Sequence, residues 1–245
     1  MNIQSAIIKG TKILKENYIQ SAQLDTEILL AKAIKKDRKY ILLNDNKNLQ
    51  NKDLIYFEEL IKERASRKPI SYLINKKFFW NFEFFVTSDT LIPRPDTELI
   101  IEQILKITKH RSKMNILDIG VGSGCILLTI LKEKKNFYGT GIDISKKCLN
   151  ISKINAKHLK VEKRTKFYKT DVDKFVQGKY DLIVSNPPYI NKNKLKYLEK
   201  DVAKFEPNLA LDGGLDGLSE IRKVVKKSSE LIKKNGKFIL EIGFD

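Results

Sequence analysis

Apolar side chains recur at helical spacing over roughly the first 68 positions. Ile3, Ile7 and Leu14 share one face, and Leu54, Phe57 and Ile61 repeat the interval behind Asp53, a candidate N-cap. Short helices bury such stripes only against one another, so the pattern predicts a small helical bundle. The stretch 76–87 (KKFFWNFEFFVT) changes character: aromatics flank Trp80-Asn81, which reads as a β-hairpin or a pair of extended segments. In Leu91-Ile92-Pro93-Arg94-Pro95-Asp96-Thr97-Glu98 two prolines force extended backbone, and Pro95 suits the first turn of a helix running to about Lys109. From Asn115 onward, apolar strands at 115–119, 137–142, 165–168, 181–185 and 237–242 have helical segments between most of them. Such alternation predicts an α/β fold, a parallel sheet with helices on both faces.

With 245 residues there is room for one large domain and a small companion. The pattern divides them into a helical domain at 1–74, a hairpin linker at 75–90 and an α/β domain at 91–245. A hydrophobic share of 42% supports a packed core and excludes wholesale disorder. No uncharged apolar run approaches the ~20 residues of a membrane span, and Lys9 and Lys12 interrupt the first apolar stretch, so a cytoplasmic protein is expected. Cys125 and Cys148 make neither a disulfide framework nor a metal set, and His110 and His158 stand alone among lysines as surface residues; no metal is expected.

The formal net charge is +17, from 47 Lys and Arg against 30 Asp and Glu. That excess suggests an anionic partner, nucleic acid first. Only seven of the basic residues are Arg, however, the preferred residue for bidentate recognition of phosphates and bases. The charge is also spread evenly: residues 1–85 carry 16 basic and 10 acidic side chains, close to their share of the total. Compositional drift toward Lys, Asn and Ile accounts for the surplus better than a dedicated anionic partner.

Four segments carry candidate chemistry. The apolar strand at 116–119 breaks into Gly120-Val121-Gly122-Ser123-Gly124, followed by an apolar helix from 126 to 131; glycines there let the backbone approach a ligand at the helix N-terminus. A dinucleotide fingerprint would place Gly at 125, where this chain has Cys. Asp143, about 20 residues on at the next strand end, can accept from ribose hydroxyls, so the pair points to a nucleoside-bearing cofactor. Asp171 either accepts from an adenine amino group, with Val172 against the ring, or caps the following turn. Finally a buried strand runs into Asn186-Pro187-Pro188-Tyr189, which cannot continue a ladder. The Asn186 side-chain oxygen and the Pro187 carbonyl suit a grip on a planar NH2 group, with Tyr189 packed on its plane. Such a grip orients the nitrogen lone pair toward an electrophile.

In this order, the glycine loop, Asp143 and Asn186-Pro187-Pro188-Tyr189 resemble the S-adenosylmethionine-dependent methyltransferases of exocyclic or amide nitrogen. Three further features narrow the resemblance: residues 91–98, the pair Phe205-Glu206-Pro207-Asn208-Leu209-Ala210-Leu211 and Gly214-Leu215-Asp216-Gly217-Leu218, and the helical N-terminal domain. Together they look like the HemK/PrmC family of peptide-chain-release-factor glutamine methyltransferases. That resemblance implies a Rossmann-like methyltransferase sheet and N5-methylation of the glutamine in the Gly-Gly-Gln tripeptide of class I release factors, which supports translation termination. It implies S-adenosyl-L-methionine as cofactor, held by Gly120, Val121, Gly122, Ser123, Gly124, Asp143, Asp171 and Val172, with Asn186 at the junction of cofactor and substrate. Asn186, Pro187, Pro188 and Tyr189 would form the glutamine pocket, with Asn186, Pro187 and Tyr189 the catalytic set. Arg94, Asp96 and Glu98 would order the entrance. Many relatives carry an aromatic residue where this chain has Val172, which implies a weaker adenine platform. The family also continues past the last strand with a helix and an antiparallel strand pair, so the C-terminal strand pair is expected to be missing and the last strand to have an uncovered edge. Two other readings remain: a DNA or RNA N-methyltransferase, favoured by Lys192, Lys194 and Lys196 unless those form a solvated face, and a non-catalytic binding remnant. No base-reading module supports the former, and under the leading reading neither nucleic acid nor membrane is required.

Overall fold

The computed structural model describes residues 1–243, which fall into two compact units, one of Met1–Asn75 with Lys200–Phe205 and one of Lys76–Glu199 with the described residues from Glu206 onward. The first unit begins with α1 (Ile3–Glu16), α2 (Ala22–Ala33), α3 (Arg38–Leu43), α4 (Asn51–Ala65) and α5 (Ile70–Ile74). Asn2 caps α1 by accepting from the Ser5 amide at 2.9 Å. The core gathers Leu14, Leu29, Leu30, Ile41, Phe57 and Ile61, all essentially inaccessible to solvent. Asp53 is not a cap: α4 begins two residues before it, behind Gln50, and the Asp53 carboxylate lies in the first turn, where it complements the positive end of the helix.

In the second unit β1 (Lys76–Phe79) and β2 (Phe82–Phe85) form an antiparallel hairpin whose two-residue loop holds Trp80 at φ 56°. A 3-10 turn at Pro95–Thr97, with Pro95 at its start, leads into α6 (Glu98–Ile107). Then come β3 (Asn115–Ile119), α7 (Cys125–Glu133), β4 (Tyr138–Asp143), α8 (Lys146–His158), β5 (Thr165–Lys169) and β6 (Tyr180–Ser185). The next helix, α9 (Lys200–Phe205), clusters with the first unit, although the sequence pattern assigns 91–245 to one domain. Within the first unit the Arg64 guanidinium, nearly buried, donates to Asp25 at 2.7 Å and to Asp201 of α9 at 2.9 Å. The chain returns through α10 (Ser219–Leu231) to β7 (Ile232–Leu240).

The sheet has the order β5-β4-β3-β6-β7, and every pairing is parallel. Its residues alternate between two layers: Ile116, Leu182 and Val184 pack with α6 and α7 residues such as Ile101, Leu127 and Leu131. Leu117, Ile119 and Ile183 face Val224 and Leu231 of α10. Each such side chain taken from water contributes about 1.5–3 kcal/mol, which is why a short apolar run suffices to specify a central strand. β7 starts five residues before the predicted 237. Its regular ladder begins at Lys237 opposite Leu182, and the preceding segment is irregular, with Asn235 at φ 65° and a register shift between Tyr180 and Leu182. β7 is an edge of the sheet among the described residues. No helix among the described residues is long and apolar enough to cross a membrane.

Candidate functional site

The chain passes from β3 outward through β4 to β5, then crosses to the other flank of β3 to form β6. Such a switch leaves a crevice at the carboxyl ends of the two central strands. In this protein it is a cavity of about 500 Å3, a size suited to a nucleoside-bearing ligand. Ile119 pairs with Ile142 on one side and Ser185 on the other, so the three strands end level and their following residues share one rim.

On the β3 side the glycine loop turns back sharply, with Gly120, Gly122 and Gly124 at φ 76°, 55° and 84°. A side chain at 124 would also meet Leu128 at 2.7 Å, so this N-cap of α7 admits no Cβ without repacking. The amides of Gly120 and Val121 donate to the Ile142 carbonyl at 2.9 and 3.0 Å, which ties the loop to β4. Asp143 tightens the same joint, one oxygen accepting from the Gly122 amide at 3.0 Å and the other from Ser145 at 2.8 Å. Burial raises its pKa from the ordinary carboxylate value, and the amides of Ser145, Gly122 and Ile144 oppose the rise. Because a carboxylate has about four lone-pair sites, Asp143 retains acceptor capacity for ligand hydroxyls. Asp171 lies at the rim beside Val172 and accepts from the Asp173 amide at 2.9 Å through one oxygen. The capping role is therefore present, and the second oxygen is not used by it.

On the β6 side Ser185 donates to the Ile119 carbonyl at 2.6 Å, closing the strand ends together. Asn186, Pro187 and Pro188 line the cavity directly after it. The Asn186 amide group donates to the Thr97 hydroxyl at 3.2 Å. Tyr189 is half-buried and donates to Glu241 at 3.2 Å; burial first, then the Glu241 charge, raises its pKa, so it is a neutral phenol near pH 7.

Two sequence segments without an assigned contact hold this edge. The Arg94 guanidinium pairs at 2.5 Å with Glu206, whose side chain is 1% exposed, and the other Glu206 oxygen accepts from the Ile92 amide at 3.1 Å. Glu98 accepts from the Trp80 amide at 2.7 Å, and Asp96 is exposed. Residues 207–218 wrap the backbone that leaves Tyr189. The Ile190 amide donates to Leu211, Gly213 to Ile190 and Lys192 to Gly214, at 2.9–3.1 Å, and the Asn191 side chain donates to Leu215. Gly217, at φ 77°, passes so close that a Cβ would sit 2.6 Å from the Tyr189 carbonyl.

Of the residues named from sequence, Gly120, Val121, Gly122, Ser123, Asp143, Asp171, Val172, Asn186, Pro187 and Pro188 line one cavity, while Gly124 and Tyr189 stand behind it as supports. Sequence reasoning missed Thr97, although it sits inside a segment singled out for its prolines. Cys125 and Cys148 also line the cavity, but burial pushes their thiols up to about 12 and about 11, which leaves them protonated and unreactive. Glu220 and Lys223, paired at 2.7 Å, reach the same cavity from α10, whose polar face gave no signal of it. His110 and His158 are exposed, and no group of three His, Cys, Asp or Glu residues able to hold a metal occurs among the described residues.

Comparisons with known proteins match both units. Residues 5–74 fit the family model of the PrmC N-terminal domain, and residues 95–216 that of the Methyltransferase small domain. The Release factor glutamine methyltransferase of Clostridium acetobutylicum is 36% identical over 248 residues, spanning 100% of this chain and 87% of its own. That of Buchnera aphidicola subsp. Acyrthosiphon pisum is 37% identical over 244 residues, spanning 100% and 86%. A solved SAM-dependent methyltransferase from Geobacter sulfurreducens in complex with S-Adenosyl-L-homocysteine aligns at 18% identity and TM-score 0.39, over 60% of this chain and 47% of that one.

Proposed function

The chain belongs to the family of release factor glutamine methyltransferases, and from that membership we propose that it transfers a methyl group from S-adenosyl-L-methionine to the side-chain nitrogen of the Gly-Gly-Gln glutamine in class I release factors. The observation that carries this reading is the shared rim, which brings Asn186 and Pro187 into the same cavity as the glycine loop and Asp143.

The cavity fits the cofactor. A loop with three glycines at positive φ gives close backbone approach, Asp143 has acceptor capacity for ribose hydroxyls, and Val172 offers an apolar wall for a ring. Gly120 to Ser123, Asp143, Asp171 and Val172 would hold it, with Gly124 fixing the loop to α7. When bound, it supplies a methyl group on a positively charged sulfur.

The protein's part is orientation. An amide nitrogen is a poor nucleophile because its lone pair is delocalised. The Asn186 oxygen and the Pro187 carbonyl each accept one N–H of the glutamine, and Tyr189 backs the two prolines from behind. That grip aims the lone pair and removes rotational freedom, a form of catalysis worth several orders of magnitude. Neither acceptor is a base at neutral pH, so the proton leaves the nitrogen only after methylation has made it acidic. The neutral Tyr189 phenol, tied to Glu241, acts as a support behind the motif rather than as a base.

A translation factor as substrate sets the cytoplasm as the place of action. Lys192, Lys194 and Lys196 lie on an exposed 3-10 turn just beyond the motif and need no nucleic acid to account for them. The assay is direct: methyl-labelled S-adenosylmethionine is offered with a class I release factor, and separately with undermethylated DNA and RNA. Label is expected on the glutamine peptide; label on nucleic acid alone would refute the reading. Asn186→Ala should abolish transfer and leave appreciable cofactor binding, and near-normal turnover of that variant would remove Asn186 from its role.

A further inference from the structure

Thr97 is 2% exposed on the 3-10 turn Pro95–Thr97, and its hydroxyl oxygen accepts from the Asn186 side-chain NH2 at 3.2 Å across 89 positions of sequence. A carboxamide fits its site in two nearly isosteric orientations related by a half-turn, because its terminal torsion is broad and two-fold. One orientation offers the cavity an acceptor oxygen. The other offers an NH2 group, which would meet the substrate amide donor to donor; a hydroxyl serves either orientation, so the substrate NH2 selects the first and the hydroxyl holds the group in place.

We propose that Thr97 is a positioning residue that anchors the Asn186 carboxamide beside the substrate amide, accepting from its NH2 group when its oxygen faces the substrate, a role that rests on the reading of Asn186 given above. The turn that carries the hydroxyl is itself fixed from several sides. The Thr97 amide donates to the Arg94 carbonyl at 3.2 Å, Arg94 is paired with the buried Glu206, and Glu206 also holds the Ile92 amide. On the other side Glu98 accepts from the Trp80 amide. Thr97 is therefore placed without help from Asn186, whereas the Asn186 NH2 group depends on Thr97. The bonds that secure the glycine loop and Asp143 do not pass through the Thr97 hydroxyl, so its loss is expected to act first on the substrate nitrogen, with the cofactor Kd as the control.

Three variants separate positioning from packing. Thr97→Val keeps the shape and removes the hydroxyl; Thr97→Ser and Thr97→Ala both lack the methyl and differ only in the hydroxyl. With methyl-labelled S-adenosylmethionine and a class I release factor, kcat is expected to fall roughly 10–100-fold in Val and Ala and to stay within about threefold of wild type in Ser. The cofactor Kd should be unchanged and the melting temperatures of Ser and Ala similar. If Thr97→Val does not fold, the Ser and Ala pair carries the test unaided. Equal kcat in Ser and Ala overturns the role of Thr97 alone, as does a loss shared by Ser, which would mark a packing defect. Failure of the wild-type protein to label the glutamine overturns the functional reading, and the role with it.

Discussion

On β3, two positions before the glycine loop, Asp118 carries a carboxylate that is 1% exposed into the layer beneath α7. No well-formed hydrogen bond reaches either oxygen, and the Leu127 amide near the helix start offsets the burial only in part. Burial, with a smaller push from Asp143, raises its pKa from 3.8 to about 7. An acid whose folded pKa lies above its unfolded value binds its proton more tightly when folded, so stability falls as pH rises from about 4 to about 7. Asp118→Asn stays neutral throughout. It should therefore gain stability relative to wild type by a few kcal/mol at pH 8, with the gain vanishing near pH 4. Denaturant unfolding at the two pH values measures this, and a gain independent of pH would show that Asp118 is not the group responsible. Residues such as Asp118 and Thr97 mark where sequence reading stops. Asp143 and Asn186 announce themselves by ending apolar strands, but the partner of Asn186 lies 89 positions away, a distance no local pattern spans.

Elements were more legible, because strands and helices follow from local periodicity. The hairpin, the central strands and the turn at Pro95 all occur where apolar spacing and proline chemistry place them. The misjudged elements depend on non-local pairing: the irregular start of β7 is set by what Tyr180 and Leu182 can reach, and α4 starts before Asp53 with no capping side chain to announce it. Residues 207–218 show the same limit, since nothing in their composition says that they pair with the backbone after Tyr189. That pairing has a measurable cost of disturbance. Gly217→Ala puts a Cβ 2.6 Å from the Tyr189 carbonyl at a backbone angle that disfavours any side chain. The backbone after Tyr189 must shift, so turnover should drop about 10-fold or more while cofactor affinity holds, as expected when a substrate grip is displaced by a fraction of an ångström. Unchanged turnover would mean that the segment tolerates looser support than the geometry indicates.

For the whole molecule, the net charge of +17 is the property that sequence overstated. It first suggests nucleic acid, whereas family membership points to a protein substrate, and the exposed lysines beyond Tyr189 require no dedicated partner. What remains for the charge is long-range attraction to an acidic protein surface, a screened effect. Raising salt from about 0.05 M to about 0.5 M should then lower kcat/KM several-fold with kcat nearly constant, since the field acts on encounter and not on the bound amide. A flat salt profile would leave the surplus as composition alone. The return of Lys200–Phe205 to the first unit has a different kind of consequence. A ribosome making this chain releases residues 1–75 more than a hundred residues before Asp201, so during that interval Arg64 has Asp25 but lacks its second carboxylate. The helical bundle thus precedes the sheet along the chain yet is not finished until β6 has been made, and a fragment ending at residue 75 lacks its last helix.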